Sequence, residues 1–349
     1  MCDIPYMADR TLQFIGSYPA SSTEAAMREM VELAGSHLRY LPDGEVGERR
    51  NWIVHIVEGL RAHPDLELVR EGRFENYDDV PRFRVRRGRR FTGASLDLGH
   101  VAAAKEAKPV FDSLRRSTGR PDLIFQAGLP GDLDLALFSF GPAQAFRRRR
   151  PFADALVEEI SQIRAVFGDD VVFQLEVPVE QVFVTSAPAP ARPALAAFLA
   201  RGLVRLAARA PEGTRFGVHL CLGDLGHKSL ARPKDADPTV VLANAVARAW
   251  PAGRPLAYVH LPLASGDVPP STDPAFYAPL HKLRLSPGTR VVAGFLHEAL
   301  SDEQARSILE AIERAVGTTV DVAASCGLAR RGVDAARRTV QQGVVLCAD

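Results

Sequence analysis

Eight short apolar runs, separated for the most part by stretches of helical spacing, restrict this chain to very few folds. The runs are Leu12–Tyr18, Leu38–Pro42, Leu123–Ala127, Val171–Pro178, Arg215–Leu222, Leu256–Leu261, Arg290–Leu296 and Val320–Cys326. The helical stretches are Ser22–Ser36, Glu48–His63, Ala102–Ser117, Phe152–Phe167, Ala191–Ala208, Pro238–Trp250, Asp302–Val316 and Arg330–Gln342. Ser22-Thr23-Glu24 and Ser301-Asp302-Glu303-Gln304 read as helix starts, with a small hydroxyl cap and acidic residues before an apolar face. Strands that alternate with helices build parallel β/α units. Eight units in 349 residues predict an α/β protein, a single (β/α)8 TIM barrel over residues 1–349, close to the typical ~250 residues plus insertions.

The main insertion is expected at about residues 66–98, after the second unit. There the alternation Arg82-Phe83-Arg84-Val85-Arg86-Arg87 reads as one strand of a hairpin. A second extended loop, Ser265 to Tyr277, follows the sixth strand and borders the face where barrels of this type carry their sites.

Composition excludes several function classes. A net charge of +1 gives no general field for nucleic acid or an anionic membrane. The arginine run Arg147–Arg150 reads as a solvated turn before a helix, and no stacking aromatics are interleaved with it. No apolar run approaches the ~18 residues of a membrane span. Four cysteines do not make a disulfide framework, so a cytoplasmic location is expected.

In a barrel, polar residues at the C-terminal ends of strands build the site. These ends supply Ser17, Asp43 with Glu45, Gln126, Glu176, His219 with Cys221, His260, His297 and Cys326. His219 and Cys221 stand two apart and so face one side of their strand. With Cys326 they offer nitrogen and sulfur ligands that suit Zn2+, leaving room for a substrate; His260 is a candidate third or fourth ligand. The plainer reading of each, as a small buried hydrophobe or a hydrogen-bonded core histidine, stays open. Glu45 and Glu176 are either partners for a cationic substrate group or members of structural ion pairs.

Five motifs together resemble the catalytic barrel of cobalamin-independent methionine synthase, within the broader superfamily that includes uroporphyrinogen decarboxylase. They are Ile15-Gly16-Ser17-Tyr18-Pro19, Asp43-Gly44-Glu45, Gln174-Leu175-Glu176-Val177-Pro178, His219-Leu220-Cys221-Leu222-Gly223-Asp224 and Cys326-Gly327-Leu328-Ala329-Arg330. The resemblance implies a zinc-dependent methyltransferase that activates a thiol such as homocysteine. It also implies His219, Cys221 and Cys326 as metal ligands, and Ser17, Glu45 and Glu176 as substrate-binding residues. This chain departs from the family in three ways: His260 stands nearest to the family's further glutamate ligand, Glu176-Val177-Pro178 replaces Asp-Glu-Pro, and the late catalytic histidine has only His297 as a counterpart.

The expected mechanism holds zinc on His219, Cys221, Cys326 and His260. A small-molecule thiol is bound as thiolate, with Glu176 gripping its ammonium and His297 acting as acid on the leaving group. The methyl donor stays open between a folate, a methylated carrier protein and a sulfonium or epoxide. Alternatives are a zinc-dependent hydrolase or lyase, with Glu176 as general base, and a non-catalytic ligand-binding barrel.

Overall fold

The computed structural model describes residues 10–348 apart from Trp52, so Cys2 lies outside the described residues. In chain order the elements are β1 (Leu12–Gln13), α1 (Thr23–Ala34), β2 (Tyr40–Pro42), α2 (Val54–Gly59), β3 (Leu66–Arg70), β4 (Arg82–Val85) and α3 (His100–Ser117). There follow β5 (Ile124–Pro130), α4 (Asp132–Phe140), α5 (Pro142–Phe167), β6 (Val171–Glu176), α6 (Pro178–Ser186), α7 (Arg192–Arg209) and β7 (Arg215–His219). The chain ends with α8 (Asp237–Ala249), β8 (Leu256–Pro262), β9 (Arg290–Leu296), α9 (Asp302–Val316), β10 (Asp321–Ala324) and α10 (Val333–Ala348).

Eight parallel strands form one sheet in the order β1-β10-β9-β8-β7-β6-β5-β2, and a parallel bridge from Leu12 to Leu38 joins its two ends. The molecule is therefore a (β/α)8 barrel. All eight strand-like runs supply one of its strands. The insertion forms the expected hairpin, with β3 and β4 paired antiparallel. Both helix starts are capped: Ser22 accepts from the Ala25 N–H, and Ser301 forms a capping box with Gln304.

The differences from expectation have local causes. Strand β1 stops at Gln13 because interior amides bond to the carbonyls that follow, Gln126 to Phe14 and Gln174 to Ile15. The stretch Glu48–His63 breaks into short helical turns around α2. Helix α4 is almost wholly buried, so it lacks the one-sided period that sequence patterning detects. Helix α5 starts at Pro142 and runs through Pro151, so Arg147–Arg150 lies within a helix and not in a turn. Arg149 is tied there to Asp132 at 2.6 Å.

Two cores hold the barrel. The larger lies between strands and helices; a smaller one fills the barrel interior with Ile15, Tyr40, Val172, Tyr258, Val292 and Ala323. At its centre the Tyr258 hydroxyl lies 3.1 Å from the Gln126 amide oxygen and 3.0 Å from that of Gln174. The ring fits because β7 carries no side chain opposite it: a Cβ on Gly217 would lie 2.0 Å from the Tyr258 ring. Gly217→Ala is expected to destabilise the fold by about 1–3 kcal/mol through overpacking, read as a lower urea midpoint.

Candidate functional site

Strand register assembles the site. Glu176 pairs with His219, and His219 with His260, so three strand-end side chains lie at one level of the barrel. Two residues beyond the end of β7 comes Cys221, and two beyond β10 comes Cys326. Ligand atoms of His219, Cys221 and Cys326 all lie within 4.8 Å of one another.

The hydrogen bonds around His219 fix where its lone pair points. His260 is fully buried, and burial, with His219 as its neighbour, holds its imidazole neutral, with a pKa well below the ordinary value. Its Nε2 lies 3.0 Å from the Ala324 carbonyl, which only accepts, so Nε2 carries the proton. Its Nδ1 is then an acceptor and takes the Nδ1–H of His219 at 2.8 Å. His219 Nε2 is left as a bare lone pair, buried and without a protein partner. That arrangement suits a metal ligand held by an outer hydrogen bond. Both nitrogens of His260 are used in this chain of bonds, so the structure does not bring His260 into the ligand group as expected from the sequence.

The sulfurs complete the donor set. Cys221 Sγ and Cys326 Sγ are 3.7 Å apart. Tetrahedral zinc with bonds of ~2.3 Å would hold two sulfurs ~3.8 Å apart, so the pair fits such an ion without rearrangement. The Cys326 thiol is held well below its ordinary pKa, first by the hydrogen bond with Cys221 and, against the effect of burial, by Arg330. Arg330 Nη2 lies 3.2 Å from Cys326 Sγ, while its Nε bonds Asp224 at 2.8 Å and its Nη1 bonds the Arg50 carbonyl. The Cys326-Gly327-Leu328-Ala329-Arg330 motif contains this arginine, but only the fold shows that it turns back onto the sulfur.

These groups open on a cleft lined also by Ser17, Glu45 and Glu176. The Ser17 hydroxyl is buried without a partner. Glu45 has φ 42°, a left-handed conformation that is strained for a glutamate. Asp43 holds the turn by accepting the Glu45 N–H at 3.0 Å and pairing Arg49 at 2.5 Å. The Glu45 and Glu176 carboxylates flank one point: a Cβ on Gly128 would lie 2.6 Å from Glu45 Oε1 and 3.2 Å from Glu176 Oε1. Burial pushes the Glu45 carboxyl up to about 7 against the opposing pull of Arg49. Burial and the neighbouring Glu45 also raise Glu176 well above the usual range. Gln174 donates to Glu176 at 3.0 Å.

Two other expected residues fall elsewhere. Gln126 is satisfied inside the barrel by Gln13, Tyr258 and the Phe14 carbonyl. His297 does not line the cleft; it is buried, accepts the Ala299 N–H at 3.1 Å and groups instead with His227 and Glu298. The expected acid is thus not brought to the thiol group.

The insertion also reaches the cleft. Phe74 and Tyr77 line it, and no residue of the Ser265–Tyr277 loop does. Tyr77 accepts the Leu225 N–H at 2.8 Å and donates to the Lys228 carbonyl at 3.2 Å, pinning the insertion to the loop after β7. No periodic signal could have announced this long-range contact.

The same barrel occurs in several solved structures. One, a B12-independent methionine synthase from Shewanella sp. W3-18-1 in complex with selenomethionine, has a TM-score of 0.59 and 15% identity, covering 96% of each chain. A second, a Listeria monocytogenes protein assigned as a vitamin-B12-independent methionine synthase, has a TM-score of 0.55 and 12% identity over 98% of each chain. A third, a methyltransferase from Methanosarcina mazei, has a TM-score of 0.52 and 14% identity over 93% of this chain and 85% of that one. No family model and no curated protein sequence matches the chain. No helix among the described residues is long and apolar enough to cross a membrane.

Two outcomes follow from this geometry. A Cβ on Gly294 would lie 2.4 Å from His260 Nε2. Gly294→Ala and His260→Phe should each weaken divalent-metal binding by roughly 10–100-fold, measured by chelator competition, and Gly294→Ala should also lower the urea midpoint, because its Cβ would lie 2.8 Å from the Leu261 carbonyl. The raised Glu45 pKa gives a second, pH-dependent outcome. Because its folded-state pKa rises from 4.5 to about 7, its contribution to stability is present below 4.5 and lost as pH rises through about 7. Charge in the cleft grows over the same rise. Tetramethylammonium should therefore bind more tightly at about pH 8 than at about pH 6, and calorimetry on Glu45→Gln should show much of that difference gone.

Proposed function

We propose that this protein is a zinc-dependent alkyl transferase that activates a substrate thiol and methylates it, with homocysteine as the default acceptor. The observation that carries the reading is the buried, unpartnered Nε2 of His219, which converges with two cysteine sulfurs 3.7 Å apart at the floor of an open cleft. A barrel shared with methionine synthase and methyltransferase structures is consistent with it.

In this reading His219, Cys221 and Cys326 hold zinc as three protein ligands, and His260 orients His219 from behind. Bound zinc would favour the thiolate form of a coordinated thiol and leave it a nucleophile at neutral pH. Arg330 offsets part of the negative charge that two cysteine thiolates place on the site. Glu176 and Glu45 hold the substrate ammonium, and the free Ser17 hydroxyl hydrogen-bonds its carboxylate. The cleft walls then place the alkyl carbon of the donor against the sulfur, so that positioning and nucleophile activation supply most of the acceleration.

The test is metal content of the purified chain by elemental mass spectrometry. About one zinc per chain is expected, lost in His219→Ala, Cys221→Ser and Cys326→Ser. Homocysteine should shift the visible spectrum of the cobalt-substituted protein. A chain that neither retains nor takes up zinc would overturn the reading.

A further inference from the structure

Resting on the thiol-transfer reading, we infer that the alkyl donor is an onium compound: a methyl group on positively charged sulfur or nitrogen, with no acidic tail. The charge inventory of the cleft carries this. Among the described residues that line it, Arg330 is the one basic side chain. Its guanidinium is already committed to Asp224, the Arg50 carbonyl and Cys326. Arg49, behind Glu45, is tied to Asp43. None of the insertion's arginines lines the cleft, and Arg82 is spent on the Phe138 carbonyl. A polyanionic donor such as a polyglutamylated folate would therefore bring carboxylates against a lining that, among the described residues, offers them no uncommitted cation.

The negative side of the inventory is in excess. Glu45 and Glu176 both face the cleft. One substrate ammonium pairs with one of them, while the zinc meets the substrate thiolate and the substrate carboxylate stays negative. A second positive centre beside the other carboxyl would favour its ionised form and pair with it. Most of the other walls are apolar or aromatic, among them Phe74, Tyr77, Phe138 and Leu230; Asn51 and Asp224 are the polar exceptions, and Asp224 is paired with Arg330. Aromatic rings and carboxylates around a small methylated cation form the usual recognition chemistry for onium groups.

The chemistry balances without further reagents. The substrate thiolate forms a new carbon–sulfur bond to the methyl carbon as the bond to the onium centre breaks. That bond's electron pair leaves with the donor atom, which departs as a neutral thioether or amine. No proton is needed by this leaving group, so His297 is not required in the cleft.

Trimethylsulfonium and methyltetrahydrofolate triglutamate are the probes, titrated calorimetrically into the zinc-loaded full chain. Saturable binding of trimethylsulfonium and none of the triglutamate are expected. Leu230, 40% exposed, offers a variant with little risk to folding. Leu230→Arg should weaken trimethylsulfonium by at least about tenfold and admit the triglutamate. With homocysteine added, carbon-13 methyl label from trimethylsulfonium should appear in methionine, with dimethyl sulfide released. Triglutamate binding without sulfonium binding would overturn the inference. So would sulfonium binding without methyl transfer in a chain whose cobalt spectrum responds to homocysteine. A cobalt spectrum indifferent to homocysteine would overturn the thiol reading itself.

Discussion

The hydrogen bonds from Ala324 through His260 to His219 are the constraint on which the rest of the site depends. A carbonyl at the end of β10 sets the tautomer of a histidine on β8, and that histidine sets the tautomer of one on β7. The result is a directed lone pair in a buried place where an unbonded nitrogen is costly. The two sulfurs beside it, at a separation suited to tetrahedral coordination, give the same place a coherent chemistry.

Around this centre, charge is arranged with little left over on the positive side. Arg330 binds Cys326 and Asp224 together, and Asp224 in turn holds His227, which reaches Glu298 and through it Arg331. This chain of ion pairs ties the loops after β7, β9 and β10 to one another at the barrel mouth. Glu45 and Glu176 stand outside it, in a cleft whose apolar walls raise the cost of their charge. Such a pair is expensive when empty and favourable when a cation arrives, which is the behaviour of a binding site more than of a structural salt bridge.

Much of the fold was legible because periodicity survives in the primary sequence. The eight runs became the eight strands, and the alternation in Arg82–Val85 became β4. The buried helix α4 was not legible, since a helix apolar on all sides has no period to detect. Pro151 masked the first turns of α5 in the same way, as a proline inside a helix looks like a boundary. At the site, the spacing of His219 and Cys221 already implied a shared face. The role of His260 was not readable, because ligand and hydrogen-bonded orienter are the same residue type at the same strand end.

The sequence by itself determined the strand–helix order, the barrel, and the residue types gathered at its C-terminal mouth. Those follow from local period and composition, which depend only on near neighbours in the chain. The tertiary structure alone decided which atoms meet: that Cys221 and Cys326, 105 residues apart, bring their sulfurs together, and that His260 faces His219 with its nitrogens occupied. It also decided that His297 turns away and that Tyr77 lines the cleft from a distant insertion. Such contacts are fixed by strand register and barrel closure, properties of the assembled sheet that no short window of sequence contains.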